Sequence, residues 1–404
     1  MTANTVSVYI HVPFCAAPCD YCDFFSVPVS HAMGPFIDAV LGDLEDQLAF
    51  FDVGRVPSVY IGGGTPSVLG AARTERLLSG IGNLLDPLGG PPTEFTVEAN
   101  PESADEAFLR VCADGGVNRI SLGVQTFHEA SRRGIGRVGG SDLLYGRLSL
   151  VGRYFPGAFS ADLITGLPFQ TADVLSKDIE RLLEFQPAHV SLYGLTLEPE
   201  TVLGGRVRGT AGRAALSLPT EDEADGLWIA GRDMLERAGL KQYEVSNFAL
   251  PGSECAHNIR YWRMESWLGI GPAASGTIIN ETLPAGRRFT YPRDIDGYLA
   301  APRPLIRFAH GEELSADDLM RETLLMGFRY RGGPDPQGFR KRFGRSITDC
   351  IPSTIARWRE KGFFESEEPG PDGSLAPSGK GLLFVNGFLR DAFTEMETGP
   401  LHAV

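Results

Sequence analysis

The sequence predicts an α/β protein, a partial (β/α)6 barrel followed by a small, mainly helical domain of winged-helix-like character. Strand-like and helix-like stretches alternate six times over the first ~250 residues, as βα units of a parallel sheet do. Polar residues and glycines gather where the predicted strands end. After about residue 303 the pattern becomes helical, which indicates a second domain.

The six predicted strands are rich in β-branched and aromatic residues, and a helix-like stretch follows each of the first five. The strands are TVSVYIHV, SVYIGGG, EFTVEANP, RISLGVQ, AFSADLITGLP and AHVSLYGLTLEP. Helices are expected at 32–51, 70–85 and 171–185, and another at 103–116 with Ser103 as its start signal. Six units are too few for a closed eightfold barrel, so we expect an open, TIM-like barrel with its site at the carboxyl ends of the strands.

We expect two domains, 1–303 and 304–404, with the core strands of the first within about residues 5–200. Helices are predicted at 314–330, 335–344 and 350–365, and another near the end of the chain. A winged helix often binds DNA. The formal net charge of −14 argues against general nucleic-acid binding, so a packing or lid domain is the better interpretation.

Composition predicts a soluble cytoplasmic protein. No apolar run reaches the length of a membrane span, and the N-terminus lacks the pattern of a signal peptide. Of the six cysteines, Cys112, Cys255 and Cys350 are isolated, which is unlike a disulfide framework. Reduced thiols fit a cytoplasmic location.

The other three cysteines, Cys15, Cys19 and Cys22, form a C-x3-C-x2-C pattern on the loop after the first strand. Structural zinc needs four ligands and usually takes them from paired knuckles, and a second knuckle is missing. A [4Fe–4S] cluster also usually takes four thiolates, so three would leave one iron open to a small molecule. Three core thiols that cluster by chance are the alternative, and the spacing argues against it.

This cysteine pattern, with Tyr21 before its last member, is identified as the signature of radical S-adenosylmethionine (SAM) enzymes. The motifs YIHVPFC, YIGGGTPSVL, VEANPES, RISLGVQTF, DLITGLPFQ and SLYGLTLEP resemble, in order, the oxygen-independent coproporphyrinogen III oxidase (dehydrogenase) family. The resemblance covers about residues 6–276 and is weaker beyond. It implies a radical SAM barrel whose [4Fe–4S] cluster is held by Cys15, Cys19 and Cys22, with SAM on the open iron.

The same resemblance implies a set of cofactor-binding residues. Tyr9 matches a tyrosine near the cluster and SAM, and the turn of Gly63, Gly64 and Thr65 matches the one that approaches the amino acid part of SAM. Polar positions that hold SAM are matched by Glu98, Gln125, Arg137 and Asp162. Backbone contacts to the adenosine are expected at Phe24, Thr196 and Ser275.

A second glycine motif, GIGRVG at 134–139, satisfies the dinucleotide-binding spacing G-x-G-x-x-G. That site requires a strand before the glycines, whereas the helix-like stretch FHEASRR precedes them here. We therefore reject a dinucleotide site and keep Arg137 as a SAM contact.

Three features favour the heme chaperone branch of this family, HemW. Phe24 stands where the dehydrogenases carry a fourth cysteine, and only eight residues precede Tyr9, too few for the N-terminal extension of the dehydrogenases. HNIRYW, at 257–262 within a heme-motif region of about 240–280, resembles the motif H-N-x-x-Y-W of the chaperones. His257 is then a candidate axial heme ligand, although the residue alone would suggest an ordinary hydrogen-bonded histidine.

The function expected from this branch is to bind heme and to transfer it to acceptor proteins, with respiratory hemoproteins as candidate acceptors. One alternative is the dehydrogenase, which decarboxylates coproporphyrinogen III oxidatively to protoporphyrinogen IX in porphyrin biosynthesis. A more distant alternative is a tRNA-modifying radical SAM enzyme, against which the acidic balance counts. Ser275 stands where the chaperones commonly have a histidine, and no residue is assigned a catalytic role.

Overall fold

The computed structural model describes residues 4–30, 32–209, 216–280, 283–366 and 368–398. Its centre is one 12-stranded sheet. The strands are, in chain order, β1 (Ser7–Val12), β2 (Ser58–Gly63), β3 (Glu94–Ala99), β4 (Arg119–Gln125), β5 (Phe159–Thr165), β6 (His189–Gly194), β7 (Lys241–Gln242), β8 (Asn247–Ala249), β9 (Trp267–Ile270), β10 (Ser275–Ile279), β11 (Gly286–Thr290) and β12 (His310–Leu314). Their order in the sheet is β7-β8-β6-β5-β4-β3-β2-β1-β9-β10-β11-β12.

The six predicted strands, β1 to β6, are confirmed and run parallel to one another. The strand β9 adds a further parallel neighbour on the open side of β1. Antiparallel strands extend both edges, β7 and β8 beyond β6 and β10 to β12 beyond β9. Sequence reasoning missed these additions, because strands of two to five residues give too short a period to recognise.

Side chains along β1 point alternately to the two faces of the sheet, and the two faces differ in character. Val8, Ile10 and Val12 are buried in the apolar core, whereas Tyr9 and His11 alternate with them and contact each other. Helices cover the apolar face, as crossover connections of a parallel sheet require. The helices up to residue 300 are α1 (Met33–Phe50), α2 (Gly70–Leu85), α3 (Glu106–Asp114), α4 (Glu129–Gly134), α5 (Ser141–Tyr154), α6 (Ala172–Leu183), α7 (Val202–Val207), α8 (Glu221–Arg237), α9 (Ala256–Trp262) and α10 (Ile295–Ala300).

The helix α3 begins later than the sequence predicted. Asp105 caps it by accepting a hydrogen bond from the Phe108 N–H at 2.8 Å, while Ser103 lies before the cap. The positive end of the helix dipole also stabilises a carboxylate at the N-cap, so Asp105 is the stronger start signal.

The C-terminal region is helical, as expected, and has its own apolar core. Phe363 stacks on Phe388 with ring centroids 4.2 Å apart, and Phe328 meets Phe388 edge-on. An antiparallel bridge pairs Phe364 with Pro377. The helices are α11 (Ala316–Gly327), α12 (Pro336–Phe343), α13 (Ile347–Cys350), α14 (Pro352–Glu360), α15 (Gly379–Leu383) and α16 (Val385–Thr398).

The boundary expected at 303/304 cuts through the large sheet, because β12 lies after it and pairs with β11. Ser315 follows β12 and forms a capping box with Asp318 at the start of α11. We propose that the second domain begins near Ser315. No helix among the described residues is both long and apolar enough to cross a membrane.

A buried carboxylate ties the antiparallel extension to α1. Asp43 is fully buried and accepts hydrogen bonds from the hydroxyls of Tyr291 and Tyr298, at 2.7 and 2.8 Å, and from the Gln47 amide at 3.0 Å. Burial raises the pKa of this carboxyl, and the three donors oppose that rise. The group is stable inside the protein only because it is fully hydrogen-bonded.

We expect Tyr298→Phe to lower the free energy of unfolding by about 1–3 kcal/mol, since it leaves a buried carboxylate one donor short. Denaturant unfolding followed by circular dichroism measures this change. Tyr154→Phe, which removes a surface hydrogen bond to Glu106, is the matched control and should change stability by under about 0.5 kcal/mol. Equal effects of the two variants would contradict the structural role of Asp43.

Candidate functional site

A cavity of about 580 Å³ opens at the carboxyl ends of the parallel strands. Most of the predicted cofactor-binding and metal-binding residues line it. They are Cys15, Cys19, Cys22, Phe24, Gly63, Gly64, Thr65, Glu98, Gln125, Arg137, Asp162 and Thr196. The structure thus brings together residues that are far apart in the sequence, because neighbouring parallel strands end at the same edge of the sheet.

The cysteine loop leaves the end of β1 and crosses the mouth of this cavity. A short parallel pair between Phe14–Cys15 and Val27–Pro28 closes its base. Asp20 anchors its middle, since its N–H donates to the Ile135 carbonyl at 3.0 Å and its carboxylate pairs with Arg206 at 2.8 Å. All three thiols remain partly exposed toward the cavity.

The three thiols suit a cluster better than a single ion. Among the described residues, no three His, Cys, Asp or Glu side chains come together as the ligands of one metal ion would. A [4Fe–4S] cluster makes a different demand, because each thiolate binds a separate iron. Burial raises the pKa of the Cys19 and Cys22 thiols, so the positive charge of bound iron is needed to stabilise their thiolates.

The glycine turn after β2 packs closely against the start of the cysteine loop. Gly63 has φ +106°, and a methyl group there would collide with the His11 ring. A methyl group on Gly64 would lie 2.8 Å from the carbonyl oxygen of Phe14. The Thr65 N–H donates to that same carbonyl at 2.8 Å, and its hydroxyl lies 3.4 Å from the Cys15 sulfur. Close packing within the protein is therefore one reason for these glycines.

Glu98 is the best-defined polar group in the cavity. Its Oε1 accepts a hydrogen bond from the Tyr60 hydroxyl at 2.7 Å, and its Oε2 accepts one from the Gly63 N–H at 3.1 Å. Burial, and then the nearby Asp162, raise the pKa of Glu98 to about 7, while the hydrogen bonds and Arg119 oppose that rise. A cationic ligand beside this carboxyl would favour its ionised form.

Two further predicted residues offer unused polar atoms. Among the described residues, Gln125 Oε1 and Arg137 Nε are buried without a hydrogen-bond partner. Gln125 also has φ +68°, at a point where the pairing of β4 with β5 shifts register. Such strain at a strand end is typical of binding sites. An acceptor and a donor left open in one cavity fit a polar ligand such as the amino acid part of SAM.

Three predicted residues lie outside the cavity lining. Tyr9 lies on β1, where its hydroxyl is 3.1 Å from His11 Nδ1 and its ring is next to Tyr60. Ser275 begins β10 and its hydroxyl pairs with that of Thr290 at 3.0 Å. His257 lies near the opposite, N-terminal ends of the strands, beside Ser58 at the start of β2.

His257 belongs to α9, and the buried carboxylate of Glu94 holds the start of that helix. Glu94 accepts from the backbone N–H groups of Ala256 and His257 at 2.8 and 2.9 Å, and from the Cys255 thiol at 3.3 Å. His257 is only 2% exposed, and Nδ1 lies 3.0 Å from the Ser58 hydroxyl. Its Nε2 has no partner among the described residues.

Burial sets the protonation of His257 and of the nearby Cys255. It lowers the pKa of His257 to about 3, so the imidazole is neutral. Because the Ser58 hydroxyl donates to Ser7, Nδ1 of His257 donates to Ser58, and Nε2 keeps the lone pair that a metal would need. Burial also raises the pKa of Cys255 to about 12, so that thiol stays protonated and is a poor metal ligand in this state.

Sequence reasoning missed several residues of the cavity and its surroundings. Asn100 lines the cavity and donates to the Thr65 hydroxyl at 3.1 Å, and Tyr193 forms an exposed part of the wall. His11 lies 2.9 Å from the Phe25 carbonyl in the cysteine loop. The Tyr60 hydroxyl donates a hydrogen bond to the Glu98 carboxylate. Each lies within a quoted motif, and only the side-chain contacts show its place in the site.

The comparisons with known proteins agree with this geometry. The family model for the radical SAM superfamily matches residues 9–183. The solved structure of coproporphyrinogen III oxidase (HemN) from Escherichia coli superposes with a TM-score of 0.78, covering 96% of this chain and 90% of that one, at 20% identity. At that identity the likeness concerns the fold. Barrel, cysteine loop and cavity together define a radical SAM protein, a class that uses a [4Fe–4S] cluster and SAM.

Curated relatives narrow the assignment. The chain is 38% identical to heme chaperone HemW of Lactococcus lactis over 85% of its own length and 89% of the relative's. It is 35% identical to Escherichia coli HemW, over 73% of this chain and 75% of the relative. It is also 32% identical to mouse radical S-adenosyl methionine domain-containing protein 1, over 81% of this chain and 74% of the relative. The chain belongs to the HemW family of radical SAM proteins, and the sequence-based recognition of that family is confirmed.

We expect Cys19→Ala to abolish assembly of an intact cluster, because the remaining two thiolates leave two irons without protein ligands. Anaerobic reconstitution followed by iron and sulfide analysis measures it. Cys112→Ala is the matched control, since that cysteine is buried in the core away from the loop. Full iron and sulfide content in the Cys19 variant would contradict the assigned cluster site.

We expect Tyr60→Phe to shift the pH dependence of SAM binding. Removing the hydroxyl takes a hydrogen bond from ionised Glu98, so the pKa of Glu98 rises. As the pH is lowered, Glu98 therefore becomes protonated, and SAM affinity decreases, at a higher pH in the variant than in the wild type. The shift should be about one pH unit, the effect of one hydrogen bond to a charged group. Anaerobic calorimetric titration with SAM between pH 6 and 9 measures it.

The control for that shift is Tyr243→Phe. Tyr243 is also buried, but its hydroxyl lies 2.9 Å from His189 Nε2 and has no contact with Glu98. If both variants leave the pH profile of SAM affinity unchanged, Glu98 is not the group that the ligand senses.

Proposed function

We propose that this protein is a heme chaperone, which binds heme and transfers it to acceptor proteins. The observation that carries the proposal is the similarity to curated heme chaperones over most of both chains. The motif HNIRYW adds support, because it gives a neutral histidine whose Nε2 has no partner in the described structure. Respiratory hemoproteins are candidate acceptors, and we propose the cytoplasm as its location.

We propose that Cys15, Cys19 and Cys22 hold the [4Fe–4S] cluster and that the cavity behind them holds SAM. When bound, the cluster supplies the single electron with which this class cleaves SAM. The chain contributes position and charge. Glu98 is aimed into the cavity by Tyr60 and Gly63, and Gln125 and Arg137 leave an open acceptor and an open donor for the ligand.

His257 as an axial ligand to heme iron requires a local movement. Its ring packs against Tyr60 and Tyr261, with centroids 5.2 Å away in each case, and it is nearly inaccessible. The start of α9 must therefore separate from Glu94, or the side chain must turn outward, before iron can reach Nε2. A helix of seven residues held by one carboxylate is a small unit for such opening.

We expect His257→Ala to weaken hemin binding at least tenfold and to change the Soret spectrum, because an axial ligand is lost. Titration of the purified protein with hemin measures both. His189→Ala is the matched control. His189 is an equally buried histidine of the barrel, but its two ring nitrogens lie 2.7 Å from Ser160 and 2.9 Å from Tyr243.

Unchanged hemin affinity and spectrum in the His257 variant would remove His257 as the ligand. The function itself has a separate test, an anaerobic assay with coproporphyrinogen III. Efficient formation of protoporphyrinogen IX would overturn the chaperone proposal in favour of the dehydrogenase. The likeness to HemN does not favour that alternative, because at 20% identity it reflects the shared fold.

A further inference from the structure

The second domain and the N-terminal side of the barrel enclose a cleft of about 650 Å³. Backbone hydrogen bonds from Val245 to Arg329 and from Arg331 to Tyr243 join the two sides next to it. One wall is formed mainly by Arg260 of α9 and the residues that follow this helix, and the other by α12 and the loop before it. A cleft of this size between two domains is a typical place for a small-molecule site.

The acidic and basic side chains of the cleft differ in whether they have partners within the protein. Its acidic side chains all have partners, since Glu265 pairs with Arg260 at 2.5 Å, Asp335 caps α12 and Asp372 accepts from the Ser374 N–H. Arg263 and Lys341 line the same cleft and are exposed, and neither has an acidic partner among the described residues. Arg342 also lines the cleft beside Lys341. Arg263 and Lys341, one from each wall, are the exposed cations available to an anionic ligand.

Apolar groups complete the lining. The side chains of Met264 and Ile279, both largely buried, face the cleft together with Tyr330 and Pro334. The Arg263 guanidinium lies 5.6 Å from the centre of the Tyr330 ring, so a cation and an aromatic surface meet at the junction of the walls. Such a lining fits a planar apolar molecule that carries carboxylates at one edge.

The cleft is also connected to His257 by hydrogen bonds. Arg260 lines the cleft and donates from Nε to the Ser7 hydroxyl at 2.7 Å. The Ser58 hydroxyl donates to Ser7 at 2.9 Å and lies 3.0 Å from His257 Nδ1. The helix α9 thus carries His257 and also contributes Arg260 to the lining of the cleft.

We propose that this cleft is the heme site and that Arg263 and Lys341 bind the two heme propionates. The proposal rests on the proposed heme-binding function and names the residues that select the ligand. Porphyrin faces pack on the apolar lining, and each carboxylate meets one cation by a charge-assisted hydrogen bond. The site lies on the opposite side of the barrel from the cysteine loop, so heme and SAM occupy different cavities.

The test compares hemin with hemin dimethyl ester, in which both carboxylates are esterified. The wild type should bind hemin more tightly than the ester, and Arg263→Gln and Lys341→Gln should each weaken hemin binding roughly tenfold. The double variant should bind hemin and the ester about equally. Arg340→Gln is the matched control, because it removes a charge from an exposed position of α12 outside the cleft lining.

Each outcome is decisive. If the wild type binds hemin but the double variant keeps both its affinity and its preference over the ester, the cleft proposal is wrong and the chaperone proposal stands. If the wild type does not bind hemin, both are wrong. Thermal unfolding and cluster content of each variant, both expected to match the wild type, exclude misfolding as the cause of a lost affinity.

Discussion

The carboxylate of Glu98 connects the strands β2 and β3 with the glycine turn, and the cofactor cavity depends on these three elements. It lies at the end of a central strand, and it is partly buried with two hydrogen bonds, one from the Tyr60 side chain and one from the Gly63 backbone. A carboxylate withdrawn from water without hydrogen-bond donors would be costly. The same two bonds therefore satisfy the carboxylate, fix the start of the glycine turn and direct a charge into the cavity.

The interior of the barrel explains how one strand can contribute to two places. Side chains of β2 alternate, and Tyr60 and Ser58 lie on the same side of the strand, two residues apart. Tyr60 reaches Glu98 toward the carboxyl end, while Ser58 reaches His257 near the N-terminal end. The ring of Tyr60 also contacts that of His257, so the proposed SAM and heme regions share side-chain contacts through the barrel.

Much of the fold could be predicted because the signals are local. The six parallel strands follow from β-branched runs ending in glycine or polar residues, and the three cysteines proposed as cluster ligands lie within eight positions on one loop. The short antiparallel strands could not be predicted, since a strand such as Lys241–Gln242 is too short to show a period. Its identity depends on its neighbours in the sheet.

The sequence by itself determined the class of the protein through its series of motifs, and it predicted Cys15, Cys19 and Cys22 as the cluster ligands. Tertiary structure decided which distant residues meet. It placed His257 away from the cysteine loop, gave Glu98 its partner Tyr60, and brought Arg263 and Lys341 to one cleft. Those contacts depend on how helices and strands pack, and packing joins positions that no local pattern relates.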